Sequence, residues 1–268
     1  MMSFEKGVDN SILSRYDKIY AKLEPIVTDT LELYSNEILF RLDSKNTHIK
    51  VLDELREKKE TFSLFMRMSK RAFLEVEKTW LSVNLNMEVD DILDSNFIEY
   101  LTLLTQIHDI DNSKINFELV ETEDIPNELK DIIISKIKQL SDMWFLFSID
   151  DLYSWYSNKE RIDILLSLWV KISIVKVDWK FLKEMFISSK WWFSMPNIVK
   201  RDWEKYFKYS IDDFDDFRKY ITTLRDKWIK VVAEWIENEE IFDFAKELWF
   251  DYYQWYYIQN INSNVREI

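Results

Sequence analysis

Eight short runs rich in β-branched and aromatic residues recur along the chain, at 19–27, 31–42, 80–85, 115–121, 145–152, 172–177, 230–236 and 252–258. Each predicts a β-strand. Between several of them apolar residues fall at helical spacing instead. Phe97, Tyr100, Leu101 and Leu104 form one stripe, with Asp94 or Ser95 placed to cap it. Leu129, Ile132, Ile133, Ile137 and Leu140 form a second after Asn127, and Ile241, Phe242, Ala245 and Leu248 a third after Asn238. Strands alternating with helices pair largely in parallel, and eight of them suggest a closed, TIM-like (β/α)8 barrel of the α/β class. No repeat, low-complexity tract or Pro/Gly/Ser linker divides the chain, so a single domain is expected.

The chain has 268 residues, 47% of them hydrophobic, which is enough to bury a sizeable core. Its most apolar stretch, 162–177, is broken by Asp163, Lys171 and Lys176, unlike a membrane span. The first ten residues carry Glu5, Lys6 and Asp9 with no apolar run, unlike a secretory signal. Without cysteine there is no disulfide, no thiolate nucleophile and no Cys-ligated zinc. A cytoplasmic protein with no membrane partner is expected. Basic residues number 36 against 49 acidic ones, a net charge of −13 without an evident basic cluster, which argues against duplex nucleic acid as a partner. A small phosphate ligand stays compatible if metal ions reverse the local charge.

Polar groups interrupt the strand patterns at particular places. Glu37, Asn84, Glu118, Asp150, Asp151, Lys176, Glu234 and Gln254 lie in or at the ends of these runs, each from a different run except the adjacent aspartates. One such acid alone reads as a solvated charge. In a (β/α) barrel, however, strand ends converge on one face and supply the catalytic groups. Carboxylate and amide oxygens gathered there suit a hard ion such as Mg²⁺ or Mn²⁺. His48, in a polar turn, and His108, at the end of a helical stripe, read as ordinary.

At these residues the chain resembles the EAL family of cyclic di-GMP phosphodiesterases, from about residue 20 to about residue 258. Leu23-Glu24-Pro25-Ile26-Val27 is similar to the family's first-strand Gln-Pro-Ile-Val segment, and Glu37-Ile38-Leu39-Phe40-Arg41 to its Glu-Ala-Leu-Leu-Arg signature. Ser82-Val83-Asn84-Leu85 matches Ser-Val-Asn-Leu, and Glu118-Leu119-Val120-Glu121 stands for Glu-Ile-Thr-Glu. Asp150-Asp151-Leu152-Tyr153-Ser154-Trp155 resembles Asp-Asp-Phe-Gly-Thr-Gly, and Val175-Lys176-Val177-Asp178 resembles Leu-Lys-Ile-Asp. Val232-Ala233-Glu234-Trp235 is similar to Val-Ala-Glu-Gly, and Asp251-Tyr252-Tyr253-Gln254-Trp255-Tyr256 to Asp-Tyr-x-Gln-Gly-Tyr.

The resemblance implies an EAL-type barrel over 20–268, after an N-terminal segment at 1–19 and with a longer insertion near 181–218. It implies hydrolysis of cyclic di-GMP to linear pGpG with two divalent ions, Mg²⁺ or Mn²⁺. Glu37, Asn84, Glu118, Asp150 and Asp151 would be metal ligands, and Glu234, Lys176 and Gln254 the catalytic group. Glu24 and Arg41 would contact the ligand, and Glu121 would brace the neighbouring loop. The alternative is a receptor that binds cyclic di-GMP, or a protein partner, without cleaving it; the altered loop 152–155 favours that reading. Homodimerisation is left open. The segment between Arg41 and Trp80 lacks the family's usual motifs.

Composition holds one anomaly. The chain has 12 tryptophans and a single glycine, Gly7, where about 7% glycine is usual. Trp155, Trp179, Trp235 and Trp255 stand where the family commonly has glycine, and Trp144, Trp228 and Trp249 precede strands where a helix-capping glycine belongs. Two accounts are open: turns rebuilt around real tryptophans, or a gene whose UGA codons mean glycine and were translated as tryptophan.

Overall fold

A computed structural model describes residues 13, 19–42, 47–119, 127–152, 159–194, 211–234 and 236–254. Eight strands close into a barrel in chain order. They are β1 (Ile19–Val27), β2 (Leu33–Leu42), β3 (Ser82–Met87), β4 (Ile115–Leu119), β5 (Leu146–Leu152), β6 (Ile172–Val177), β7 (Lys230–Ala233) and β8 (Tyr252–Gln254). From β2 to β8 every neighbour pair is parallel, but β1 runs antiparallel to both β2 and β8. The short 28–32 connection dictates this reversal, since a parallel crossover needs a dozen or more residues.

Helices cover the outside: α1 (Thr47–Lys58), α2 (Thr61–Thr79), α3 (Val89–Leu93), α4 (Phe97–Ile107), α5 (Asn127–Asp142), α6 (Lys159–Ser167), α7 (Trp179–Ser194), α8 (Ile211–Asp226) and α9 (Glu239–Glu247). Phe62, Phe65, Met68, Ala72, Phe73 and Val76 bury one face of α2, the i, i+3, i+4 stripe of a core-facing helix. Residues 47–79 therefore hold two helices that the sequence reading did not anticipate, and His48 lies in the first turn of a helix and not in a polar turn. The N-cap of α4 is Asn96, one residue past the expected Asp94 or Ser95; Asp94 accepts a hydrogen bond from the Asn96 N–H at 2.8 Å. Asn238 caps α9 as expected, its Oδ1 accepting from the Ile241 N–H at 3.0 Å. His108 ends α4, where its Nδ1 lies 3.0 Å from Glu77. Much of the 181–218 stretch is α7 and α8; 195–210 lies outside the described residues. No helix among the described residues is long and apolar enough to cross a membrane.

At the start of α3, Glu88 and Asp91 form a capping box in which Asp91 Oδ2 accepts from the Glu88 N–H at 2.9 Å. Burial pushes the Asp91 carboxyl from an ordinary 3.8 up to about 7, and the charges of Glu88 and Asp90 add to it against hydrogen bonds from Thr61 and the Glu88 backbone. The folded protein thus binds this proton more tightly than the unfolded chain. Stability falls as pH rises through the window from about 4 to about 7. Asp91→Asn keeps the capping acceptor and removes the titration, so the unfolding free energy from urea denaturation at pH 8 rises, by no more than about 4 kcal/mol. An unchanged slope of stability against pH in the variant would assign that slope to other groups.

Candidate active site

Adjacent strands carry polar residues in register around the inside of the barrel. Glu37 on β2 pairs with Asn84 on β3, and Glu118 on β4 sits between Asn86 on β3 and Ser148 on β5. Lys176 comes from β6, Glu234 directly follows β7, and Gln254 ends β8. A regular strand would send Asp150 and Asp151 to opposite faces. Here the β5–β6 register breaks between Ile149 and Leu152, and Asp151 takes a left-handed backbone (φ 51°) with its N–H on Asp150 Oδ1 at 3.0 Å. The irregularity brings both carboxylates to one place, where oxygens of Asp150, Asp151 and Glu234 lie within 4.8 Å of one another.

Lys176 is the hub. Its Nζ is 2.8 Å from Glu118 Oε1, 3.0 Å from Glu37 Oε2, 3.2 Å from Glu234 Oε1 and 3.8 Å from Asp150 Oδ1, and the side chain is only 1% exposed. Gln254 Nε2 donates to Glu37 Oε2 at 2.5 Å. Burial alone would discharge such a lysine, yet Asp150, Glu118, Glu37 and Glu234 outweigh it and hold the ammonium well above its usual range. Burial also raises the Glu37 carboxyl, but Lys176 and the Gln254 hydrogen bond prevail and keep it below the usual carboxylate range. Glu118 and Glu234 go the other way. Burial first, and then neighbouring carboxylates, raise both well above the ordinary range despite Lys176.

Five carboxylates gather with a single lysine here, so acids outnumber the neighbouring base even with Glu118 and Glu234 favouring their neutral forms. An isolated buried charge is costly, so the cluster takes up protons or cations. The donors are all oxygen, which suits a hard divalent ion. Two further buried atoms among the described residues, Asn84 Nδ2 and Gln254 Oε1, have no hydrogen-bond partner. The residues fit a divalent metal. Burial favours the protonated forms of Glu118 and Glu234, so a divalent ion that took them as ligands would release those protons. Calorimetry in buffers of different ionisation enthalpy should show net proton release between pH 7 and 8, lost in Glu118→Gln/Glu234→Gln. Binding without proton release would mean that these carboxyls are not ligands.

Seven of the expected site residues thus meet around Lys176: Glu37, Glu118, Asp150, Asp151 and Glu234 as acids, with Asn84 and Gln254 as amides. Glu24, the cross-strand partner of Glu37, is paired with Arg41 at 3.2 Å, and Lys22 adds a second contact to Glu24 at 3.0 Å. Arg41 also borders a cavity of about 220 Å³ with Arg56, Asn86, Glu88 and Asp91 on its wall. Glu121 and the loop 153–155 lie outside the described residues. Asn116 and Ser148 belong to the site without having been expected: Asn116 Nδ2 donates to Asn84 Oδ1 at 3.1 Å, and Ser148 Oγ reaches Glu118 Oε2 at 3.5 Å. Each is a polar residue in a buried strand segment, the same signal that marked Glu118.

The closed eight-stranded barrel resembles solved EAL-domain proteins in fold, and the chain is similar in sequence to a cyclic di-GMP phosphodiesterase. The cyclic di-GMP phosphodiesterase PdeB of Shewanella oneidensis is 27% identical over 236 residues, 83% of this chain; the chain spans 24% of that relative's length. An EAL-domain protein from Listeria monocytogenes superposes with a TM-score of 0.69 at 19% identity, covering 98% of this chain and all of the other. BlrP1 from Klebsiella pneumoniae, in a complex with manganese and cyclic di-GMP, gives 0.66 at 16% identity over 88% of this chain and 54% of the other. No family profile matches the chain.

Proposed function

We propose that this barrel hydrolyses cyclic di-GMP to linear pGpG with two bound divalent ions, Mg²⁺ or Mn²⁺. The observation that carries the reading is the all-oxygen donor set at one end of the barrel, in which Asp150, Asp151 and Glu234 bring oxygens within 4.8 Å of one another beside Glu37 and Glu118 on Lys176. Glu37, Asn84, Glu118, Asp150, Asp151 and Glu234 would hold them, directly or through water. Such ions supply an activated water and neutralise charge on the phosphate oxygens. Lys176 contacts four carboxylates that favour its charged form, so its part would be to hold the attacking water and counter the charge that develops. Gln254 is anchored to Glu37 through Nε2, which leaves Oε1 free to accept a proton of that water and set its orientation. Arg41 would reach the ligand's phosphate or base by leaving Glu24, which in this chain competes for it.

The relatives support the ligand: PdeB is named for cyclic di-GMP phosphodiesterase activity, and BlrP1 forms a complex with manganese and cyclic di-GMP. Incubation with cyclic di-GMP and Mn²⁺ or Mg²⁺, followed by chromatography, should yield pGpG, and EDTA should stop its formation. Tight binding without product under every divalent ion would make the chain a receptor.

A further inference from the structure

Eight residues other than glycine among the described ones have left-handed backbone, and five are tryptophan: Trp80 (φ 59°), Trp144 (72°), Trp169 (62°), Trp228 (64°) and Trp249 (66°). The other described tryptophans, Trp179, Trp191 and Trp192, are in α7. Every described tryptophan outside a helix therefore occupies the conformation that glycine reaches freely and a bulky residue avoids. Trp80 and Trp169 were not marked by the sequence pattern; the backbone adds them.

The hydrogen bonds define the positions. The Trp144 N–H bonds to Ser141 O and the Phe145 N–H to Leu140 O; Trp169 and Val170 bond likewise to Leu166 and Leu165. Trp228 and Ile229 bond to Arg225 and Leu224, and Trp249 and Phe250 to Lys246 and Ala245. These are four Schellman caps with tryptophan at the residue that is usually glycine. Trp80 closes α2 by the simpler single bond, to Val76 O at 2.7 Å. The flanking residues do the packing: Phe145 on Leu140 and Ile229 on Leu224 are pairs in which both members are buried. The indoles do little. They are 53–88% exposed, and among the described residues Lys171 Nζ lies 4.5 Å from the Trp144 ring centroid.

All five precede a strand (β3, β5, β6, β7 and β8) and so share the rim opposite the strand C-termini. A docking rim would need exposed aromatics, but it would not need them on the left-handed capping residues of five helices. A single substitution rule explains both the places and the missing glycines. UGA lies one base from the tryptophan codon UGG and one from the glycine codon GGA, and bacteria differ in which amino acid they insert at a reassigned UGA. We propose that the natural protein carries glycine at positions 80, 144, 169, 228 and 249, encoded by UGA. Trp155, Trp235 and Trp255, beside the site acids in sequence, fall under the same rule.

The gene and its natural product decide it. Expected are UGA at the five codons and, in peptides from the source cells, a mass for glycine at each position. UGG codons, or UGA codons whose peptides carry tryptophan, overturn the proposal and leave the five indoles as a real aromatic rim.

Discussion

Glu37→Gln and Glu234→Gln each lower turnover of cyclic di-GMP with Mn²⁺ by about 10²–10³-fold, the scale set by losing one preorganised electrostatic group. The two variants part company in stability. Glu37 is held ionised by Lys176 and Gln254, so its loss removes a favourable pairing and lowers the stability of the metal-free protein. Glu234 is pushed toward its neutral form by burial and by Asp150. Its folded carboxyl binds a proton more tightly than the unfolded chain does, so stability falls as pH rises above the ordinary carboxylate range, and glutamine removes that dependence. Urea denaturation at pH 8 in EDTA reads both directions. Turnover near wild type in either variant would remove that residue from the mechanism, and loss of folding would make its role structural.

Restoring glycine at 80, 144, 169, 228 and 249 together should stabilise the barrel by roughly 3–5 kcal/mol. A residue with a Cβ in the left-handed region loses about 1–2 kcal/mol, and glycine's greater freedom in the unfolded chain offsets roughly half of that per site. Against a domain stability of about 5–15 kcal/mol the sum is large. The matched alanine variant keeps every Cβ and removes every indole, so it should gain far less. Chemical denaturation of the two variants compares backbone strain with indole exposure directly. Equal midpoints for the glycine and alanine forms would locate the cost in the rings and not in the backbone.

Much of the barrel was legible because strands and core helices differ in period. The bounds of β1 and β6 coincide with the predicted runs, and the other six predicted runs each overlap an observed strand. The stripe of α2 has the same spacing as those of α4 and α9, so that helix was equally legible although not anticipated. The antiparallel entry of β1 follows from loop length, which pattern alone does not weigh. In the site, inward acids were readable as polar breaks in apolar runs. The joint inward turn of Asp150 and Asp151 was not, because it depends on a register break that contradicts period two. Nor did sequence show that Arg41 is engaged by Glu24, a pairing across two strands that only the folded barrel creates. The glycine positions were half visible. Motifs and helix ends gave seven tryptophans, while Trp80 and Trp169 needed the dihedral angles.

The central claim is that water, activated within this acid cluster, opens cyclic di-GMP. A single-turnover reaction in heavy-oxygen water tests it, with enzyme in excess over nucleotide, Mn²⁺ present, and both the tryptophan chain and its glycine-restored form. The account predicts linear pGpG with one heavy oxygen on its terminal phosphate, formed faster by the glycine form and abolished by EDTA. Intact cyclic di-GMP recovered from both forms, with binding demonstrated in the same samples, would contradict it.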